Sequence, residues 1–264
     1  MHVRPQTTFL CILGLLTAFA VGAWYIQGTH DGSRPLPFMS MKQGDGTHPD
    51  VRIVRIEEKT LYASATGSYP QFEKASNTFN KEIYDTVTRA VEAHATLSEE
   101  NAKAREETGE TPGEPFTLDV TYTITNHDDT YTSVLLKVSE YSGGAHGSSS
   151  LHTFTYDYAK KRRLSVTDVF KGTPDYLQKV SAITRIELQK QLATQTGDAA
   201  EVDMEFLESG TTATEENFSL FTIDVAQKTI TFYFSLYQVA PYVFGEQHVT
   251  LEMPQQGSTP SWLK

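Results

Sequence analysis

The sequence predicts an α+β fold: antiparallel sheet or sheets with two main helices, preceded by one N-terminal transmembrane or signal helix. Three observations carry this. Apolar and polar residues alternate with period two in several short runs, among them Leu118–Ile124, Thr132–Val138 and Gln247–Met253, as half-buried strands require. Two longer stretches instead place apolar residues three or four apart, which makes a helical stripe. The strands cluster around these helices with no internal repeat, and that segregation favours α+β over a βαβ series.

In chain order, Phe9 to Ile26 is an almost unbroken apolar run with Arg4 before it and Gly28, His30 and Asp31 after it. Such a run spans about 30 Å of hydrocarbon as a helix, with Trp24 and Tyr25 suited to the interface. Two readings of residues 1–27 stand. One is a signal anchor that leaves the N-terminus inside and the rest exported; the other is a signal peptide cleaved near Ala18-Phe19-Ala20 or Val21-Gly22-Ala23. The chain is therefore expected at the cell membrane as a single-pass protein, or secreted or periplasmic after cleavage. Its one cysteine, Cys11, lies within the run, so the exported part has no disulfide, which suits a prokaryotic envelope.

Residues 28–50 carry Pro35, Pro37, Gly44, Gly46 and Pro49 and read as a flexible stalk. One or two strands follow between Val51 and Ser68. Phe72, Ala75, Phe79, Ile83, Val87, Ala90 and Val91 then form one helical stripe, and Ser98–Pro115 reads as a frayed helix end and loop. A hairpin turning at Asn126–Thr130 comes next, with a third strand presenting His152, Phe154, Tyr156 and Tyr158 on one side. The second helix starts with Thr173 as N-cap and Pro174 at its first position, buries Leu177, Val180, Ile183 and Ile186, and ends before Gly197. Asp198–Asn217 is an acidic connector, Phe218–Asp224 and Thr229–Phe234 a further hairpin, and 255–264 a tail. The folded part divides into 51–115 and 116–254.

The formal net charge of -11 argues against an extended phosphate-binding face, so no nucleic-acid partner is expected. Cationic partners suit it better. Between two strand-like runs lies Tyr141-Ser-Gly-Gly-Ala-His-Gly147, where glycines allow backbone that other residues would strain and His146 projects from the turn. His146, His152 and His127-Asp128-Asp129 hardly suggest a metal site, since Asp128 and Asp129 sit where a turn is needed. Ser148–Ser150 beside His146 lack the Gly-x-Ser-x-Gly elbow of a serine nucleophile. Glu140, Asp157 and Asp168 would have to converge to hydrolyse a glycoside. Tyr237, Tyr242 and Phe244 flank Ala240-Pro241, where an exposed aromatic beside a rigid proline suits a protein or glycan contact and core packing is the competing role. No catalytic residue, metal ligand or cofactor is assigned.

Tyr69-Pro70-Gln71, Phe79-Asn80, Gly143-Gly144-Ala145-His146-Gly147, Leu164–Phe170, Ala240-Pro241-Tyr242 and Gly245, in that order, resemble the RsiV-like exported domain family. That family comprises the exported region of the lysozyme-sensing anti-sigma factor RsiV and the accessory domain of the peptidoglycan deacetylase PdaC. The resemblance covers about Val51 to Pro254. It implies an envelope binding or sensor module for a lysozyme-like protein or a peptidoglycan fragment, with Gly144, His146, Pro241 and Tyr242 as candidate ligand contacts. Departures limit it: eight residues precede the apolar run, too few to hold a sigma factor, and the acidic and histidine motifs of a deacetylase catalytic domain are not found. An envelope hydrolase acting on peptidoglycan or another polysaccharide with His146 in its site is the alternative. The resemblance also sets a spatial expectation, that the glycine turn joins two antiparallel strands and lies near Pro241 and Tyr242.

Overall fold

The computed structural model describes residues 39–43, 48–110, 114–197, 202–255 and 259–263. The chain divides into two units, 1–36 and 37–264, and every described residue lies in the second. The export helix anticipated at 1–27 lies outside the described residues, as does most of the stalk. Among the described residues, no helix is long and apolar enough to cross a membrane.

Seven strands form one sheet in chain order: β1 (Met39–Gln43), β2 (Val51–Lys59), β3 (Ala63–Phe72), β4 (Phe116–His127), β5 (Tyr131–Tyr141), β6 (Ser148–Asp157) and β7 (Arg162–Arg163). All neighbours are antiparallel except β3 and β4, which run parallel because helix α1 (Asn77–Glu107) crosses between them. β1 corrects the stalk expectation, since part of 28–50 pairs with β2. The sheet is continuous across residues 115–116 through the β3–β4 pairing.

α1 lies on one face of this sheet. Phe79, Ile83, Val87 and Val91 are buried against Tyr69, Leu118, Val134, Leu136 and Phe154, each large side chain contributing about 1.5–3 kcal/mol relative to exposure. Its start is fixed by Ser76, whose hydroxyl accepts from the Phe79 N–H, and by Asn80, whose side-chain amide exchanges hydrogen bonds with both backbone groups of Phe72. Phe72 is thus a strand residue, and Tyr69-Pro70 also lies within β3, so the helix begins later than the spacing suggests. It also ends later. Ser98 and Ala102 are buried and carry the stripe to Glu107, so Ser98–Pro115 is mostly helix; small side chains kept this part of the stripe from reading as apolar. Leu61, anticipated in a strand, lies in the β2–β3 turn and is exposed.

The other face of the sheet meets a second layer. Three antiparallel strands, β8 (Phe221–Asp224), β9 (Thr229–Phe234) and β10 (Gln247–Glu252), are ordered β10-β9-β8. β8 is an edge strand, yet its N–H groups are taken by side chains of the large sheet: Phe221 N–H donates to Thr153, Ile223 N–H to Ser133 and Val225 N–H to Asn126. Those three acceptors are buried, and they explain why polar residues alternate with the core positions of strands buried on both faces.

Three more helices belong to this layer: α2 (Val166–Val169), α3 (Tyr176–Thr196) and α4 (Met204–Gly210). The described residues thus hold four helices, two more than expected. α4 replaces part of the acidic connector. α3 starts two residues after the anticipated first position, with Asp175, not Thr173, as the N-cap residue, and ends at Gly197 in the left-handed region. Val180, Leu188 and Leu192 are its buried positions, while Ile186 is exposed, because the face turned inward is completed by Ser181 and Thr184. The tail also packs: Leu263 is buried, the Trp262 ring lies edge-on to Phe170, and Lys179 Nζ donates to the Leu263 carbonyl.

Candidate functional site

The turn between β5 and β6 is Ser142–Gly147. Gly143 and Gly144 have φ of 96° and 108°, a region that side chains rarely adopt. A Cβ on Gly143 would lie 2.8 Å from an Arg105 guanidinium nitrogen, and one on Gly147 would lie 2.8 Å from the Glu140 carbonyl oxygen. Donors from three directions hold the turn. Asn101 Nδ2 donates to the Ser142 carbonyl at 2.7 Å, the Tyr141 hydroxyl to that of Gly144 at 3.2 Å, and the Tyr242 hydroxyl to that of Gly147 at 2.9 Å.

Tyr242 arrives from the second layer. Pro241 opens a 3-10 turn over Tyr242–Phe244, closed by Gly245 with φ 70°. The His146 and Tyr242 rings stack with centroids 4.0 Å apart and planes at 24°, and His146 Nδ1 is 3.0 Å from the Gly147 carbonyl. The structure therefore brings three of the four anticipated residues into one cluster, His146, Pro241 and Tyr242. Gly144 is exposed on the same turn, tied to Tyr141. Val243, at the tip of the Pro241 turn, is 84% exposed.

Tyr237 extends the aromatic surface. Its ring centroid is 5.8 Å from that of Tyr242, it is 55% exposed, and its backbone has φ 65°. For a bulky residue that conformation costs on the order of 1–3 kcal/mol. The neighbouring Gln238 fixes it: its side-chain oxygen accepts from the Ser235 N–H, and its amide donates to the carbonyls of Gly210 and Asn217.

Beside Tyr242 is an open cleft of about 330 Å³ lined by residues of β4, β5 and β6, including Asp119, Lys137 and Ser149. Glu246 joins its edge: Lys137 Nζ lies 2.6 Å from one carboxylate oxygen and Ser149 Oγ donates to the other at 2.5 Å. Below the turn, His94 of α1 is buried, with Nδ1 2.9 Å from Glu140 and Nε2 3.5 Å from Ser98 Oγ. This row looks like a nucleophile relay, but Ser98 is fully buried, so its hydroxyl reaches no substrate and the row serves to anchor β5 to α1.

The other chemistry considered from sequence is dispersed. Asp168 is bidentate to Arg162 and closes a capping box with Ser165, and Arg162 is the chief reason its carboxyl is held far below the usual range. Asp157 pairs with Lys160, and Glu140 with His94. Asp128 accepts from the N–H groups of Thr130 and Tyr131, as a turn residue does. His127 is bonded to Asp50, which lowers the Asp50 pKa. Among the described residues, no group of three or more His, Cys, Asp or Glu side chains could hold a metal ion. The alternating strand positions gave no sign that Glu246 converges on Lys137 and Ser149, because it lies 97 or more residues from the β5–β6 hairpin that carries those two.

Two family models match the chain in tandem, Deacetylase PdaC over residues 56–149 and Protein of unknown function (DUF3298) over residues 167–253. Peptidoglycan-N-acetylmuramic acid deacetylase PdaC of Bacillus subtilis (strain 168) is 28% identical over 246 residues, which are 92% of this chain and 47% of that protein. The chain thus spans about half the length of this curated relative. A DUF3298-family crystal structure from Bacteroides fragilis NCTC 9343 shares the fold at TM-score 0.51 and 16% identity, covering 84% of this chain and 96% of that one. A second, from Pseudomonas aeruginosa PAO1, aligns at TM-score 0.42 and 17% identity over 84% and 91% of the two chains. Together these matches support a PdaC/DUF3298-like family for the chain.

Proposed function

We propose that the protein is a binding or sensor module of the cell envelope, exported and membrane-anchored through its N-terminal apolar run. It recognises a lysozyme-like protein or a peptidoglycan-related ligand through the surface shared by the glycine turn and the Pro241–Gly245 turn. One observation carries the reading: the His146–Tyr242 stack joins two distant segments into a single face beside the exposed Tyr237 ring, held by the Tyr242 hydroxyl on the Gly147 carbonyl 95 residues away. Aromatic side chains fixed on rigid turns bury large area at little entropic cost when a ligand arrives. The envelope setting is supported by the likeness to a peptidoglycan deacetylase. The net charge of -11 favours a cationic protein among possible ligands.

Titration of the full chain, solubilised in detergent, with lysozyme and with soluble peptidoglycan fragments tests this. At least one should bind saturably, with lysozyme binding weakening as salt rises. Binding of neither overturns the proposal. Turnover of peptidoglycan that disappears in His146→Ala would replace it with the hydrolase reading.

A further inference from the structure

We propose that Tyr237, Tyr242 and His146, with the Lys137–Glu246–Ser149 cluster beside them, form a saccharide subsite in which Tyr237 stacks on a pyranose ring. This rests on the binding-module reading and names its ligand class. The first observation is Tyr237 itself. A tyrosine at φ 65° with its ring 55% exposed is strained, and packing within the fold returns little for that strain. Strain of this kind, over-determined by neighbours such as Gln238, collects where a side chain must be aimed at a ligand.

The second observation is the order of the rings. His146, Tyr242 and Tyr237 follow one another at centroid spacings of 4.0 and 5.8 Å with planes inclined at 24° and 37°. The His146–Tyr242 stack covers the facing sides of those two rings, so the ring left open is Tyr237 at the end of the row, and it suits a sugar ring whose axial C–H bonds carry partial positive charge toward the negative face of the π-system.

The third is the polar half of the site. Tyr242 also lines the cleft, where Lys137 and Ser149 fix both oxygens of Glu246. An ammonium and a carboxylate locked side by side offer a donor and an acceptor to adjacent hydroxyl or acylamino groups. Size points the same way. The cleft holds about 330 Å³ and is lined by ten residues, within the range of small-ligand pockets and short of the roughly 20–30 residues that each side of a standard protein interface uses.

The test is calorimetric titration of the full chain with chitotetraose, an oligomer of N-acetylglucosamine, in a detergent without a sugar headgroup. Saturable binding is expected. Tyr237→Asn, which tolerates the left-handed region but lacks the ring, should weaken it about tenfold or more while leaving thermal unfolding unchanged or raised. Tyr237→Phe keeps the stacking face and should stay within about threefold of the parent. Ile186→Ala, on an exposed face of α3, should bind like the parent. Unchanged affinity in Tyr237→Asn overturns the subsite. If the parent binds lysozyme but not chitotetraose, the saccharide class falls and the binding-module reading stands; if it binds neither, both fall.

Discussion

The coupling between His146 and Tyr242 can be measured apart from any ligand. Tyr242 contributes a half-buried hydrogen bond to the Gly147 carbonyl at 2.9 Å, worth about 1 kcal/mol, and a ring stacked on His146 at 4.0 Å. Because His146 is exposed, the stack belongs at the lower end for aromatic pairs, about 0.5 kcal/mol. Tyr242→Phe removes the hydroxyl and keeps the ring, so it should cost about 1 kcal/mol; Tyr242→Ala removes both and should cost about 2 kcal/mol. His146→Ala should cost about 0.5 kcal/mol in the parent and in the Tyr242→Phe background, and close to nothing in the Tyr242→Ala background. Urea denaturation followed by circular dichroism, with a common slope across the six proteins, gives these differences. Equal cost of His146→Ala in all three backgrounds would show that the rings do not support one another, and the shared face would lose its basis.

Three further outcomes follow from the same geometry. Ser133→Ala removes the acceptor for the Ile223 N–H and a partner of Thr155, so it should cost about 1–3 kcal/mol in the urea midpoint with unchanged slope; a neutral result would mean that side chains do not close the β8 edge. Asp168, held below the usual carboxylate range chiefly by Arg162, has a folded pKa lower than its unfolded one. Its stabilisation is therefore complete above about pH 4 and lost as pH falls toward the folded value. Asp168→Asn should cost about 1 kcal/mol at neutral pH, also losing the cap, with the gap to the parent narrowing below about pH 4 in acid-unfolding curves; a constant gap would refute this. In Gly210→Ala the new Cβ would lie 1.8 Å from the Gln238 carbonyl oxygen, backbone that has no room to yield. It should lose about 2–3 kcal/mol and weaken ligand binding by displacing Tyr237, readable as a lower melting temperature together with reduced affinity; parental stability would contradict the close approach.

The sequence by itself determined what depends on near neighbours. Alternation at Leu118–Ile124 and Thr132–Val138 specifies strands, since the pleat has period two, and Gly143-Gly144 marks a turn because positive φ excludes most side chains. The four candidate contacts came from motif resemblance, as no local rule relates residue 146 to residue 242. Tertiary structure decided the rest. α1 runs about four turns beyond its apolar stripe because Ser98 and Ala102 are small enough to lie against the sheet, and His94 is buried there only because Glu140 awaits it. The polar positions of β5 and β6 look solvent-facing by pattern, yet they are buried because the β8 edge needs their hydroxyl groups. Tyr237 is the clearest instance: its backbone strain and its place in the aromatic row arise from the way Gly210, Asn217 and Gln238 lock the loop, contacts between segments that no window of sequence contains. Burial and strain are sums over distant neighbours, and only the folded chain brings those neighbours together.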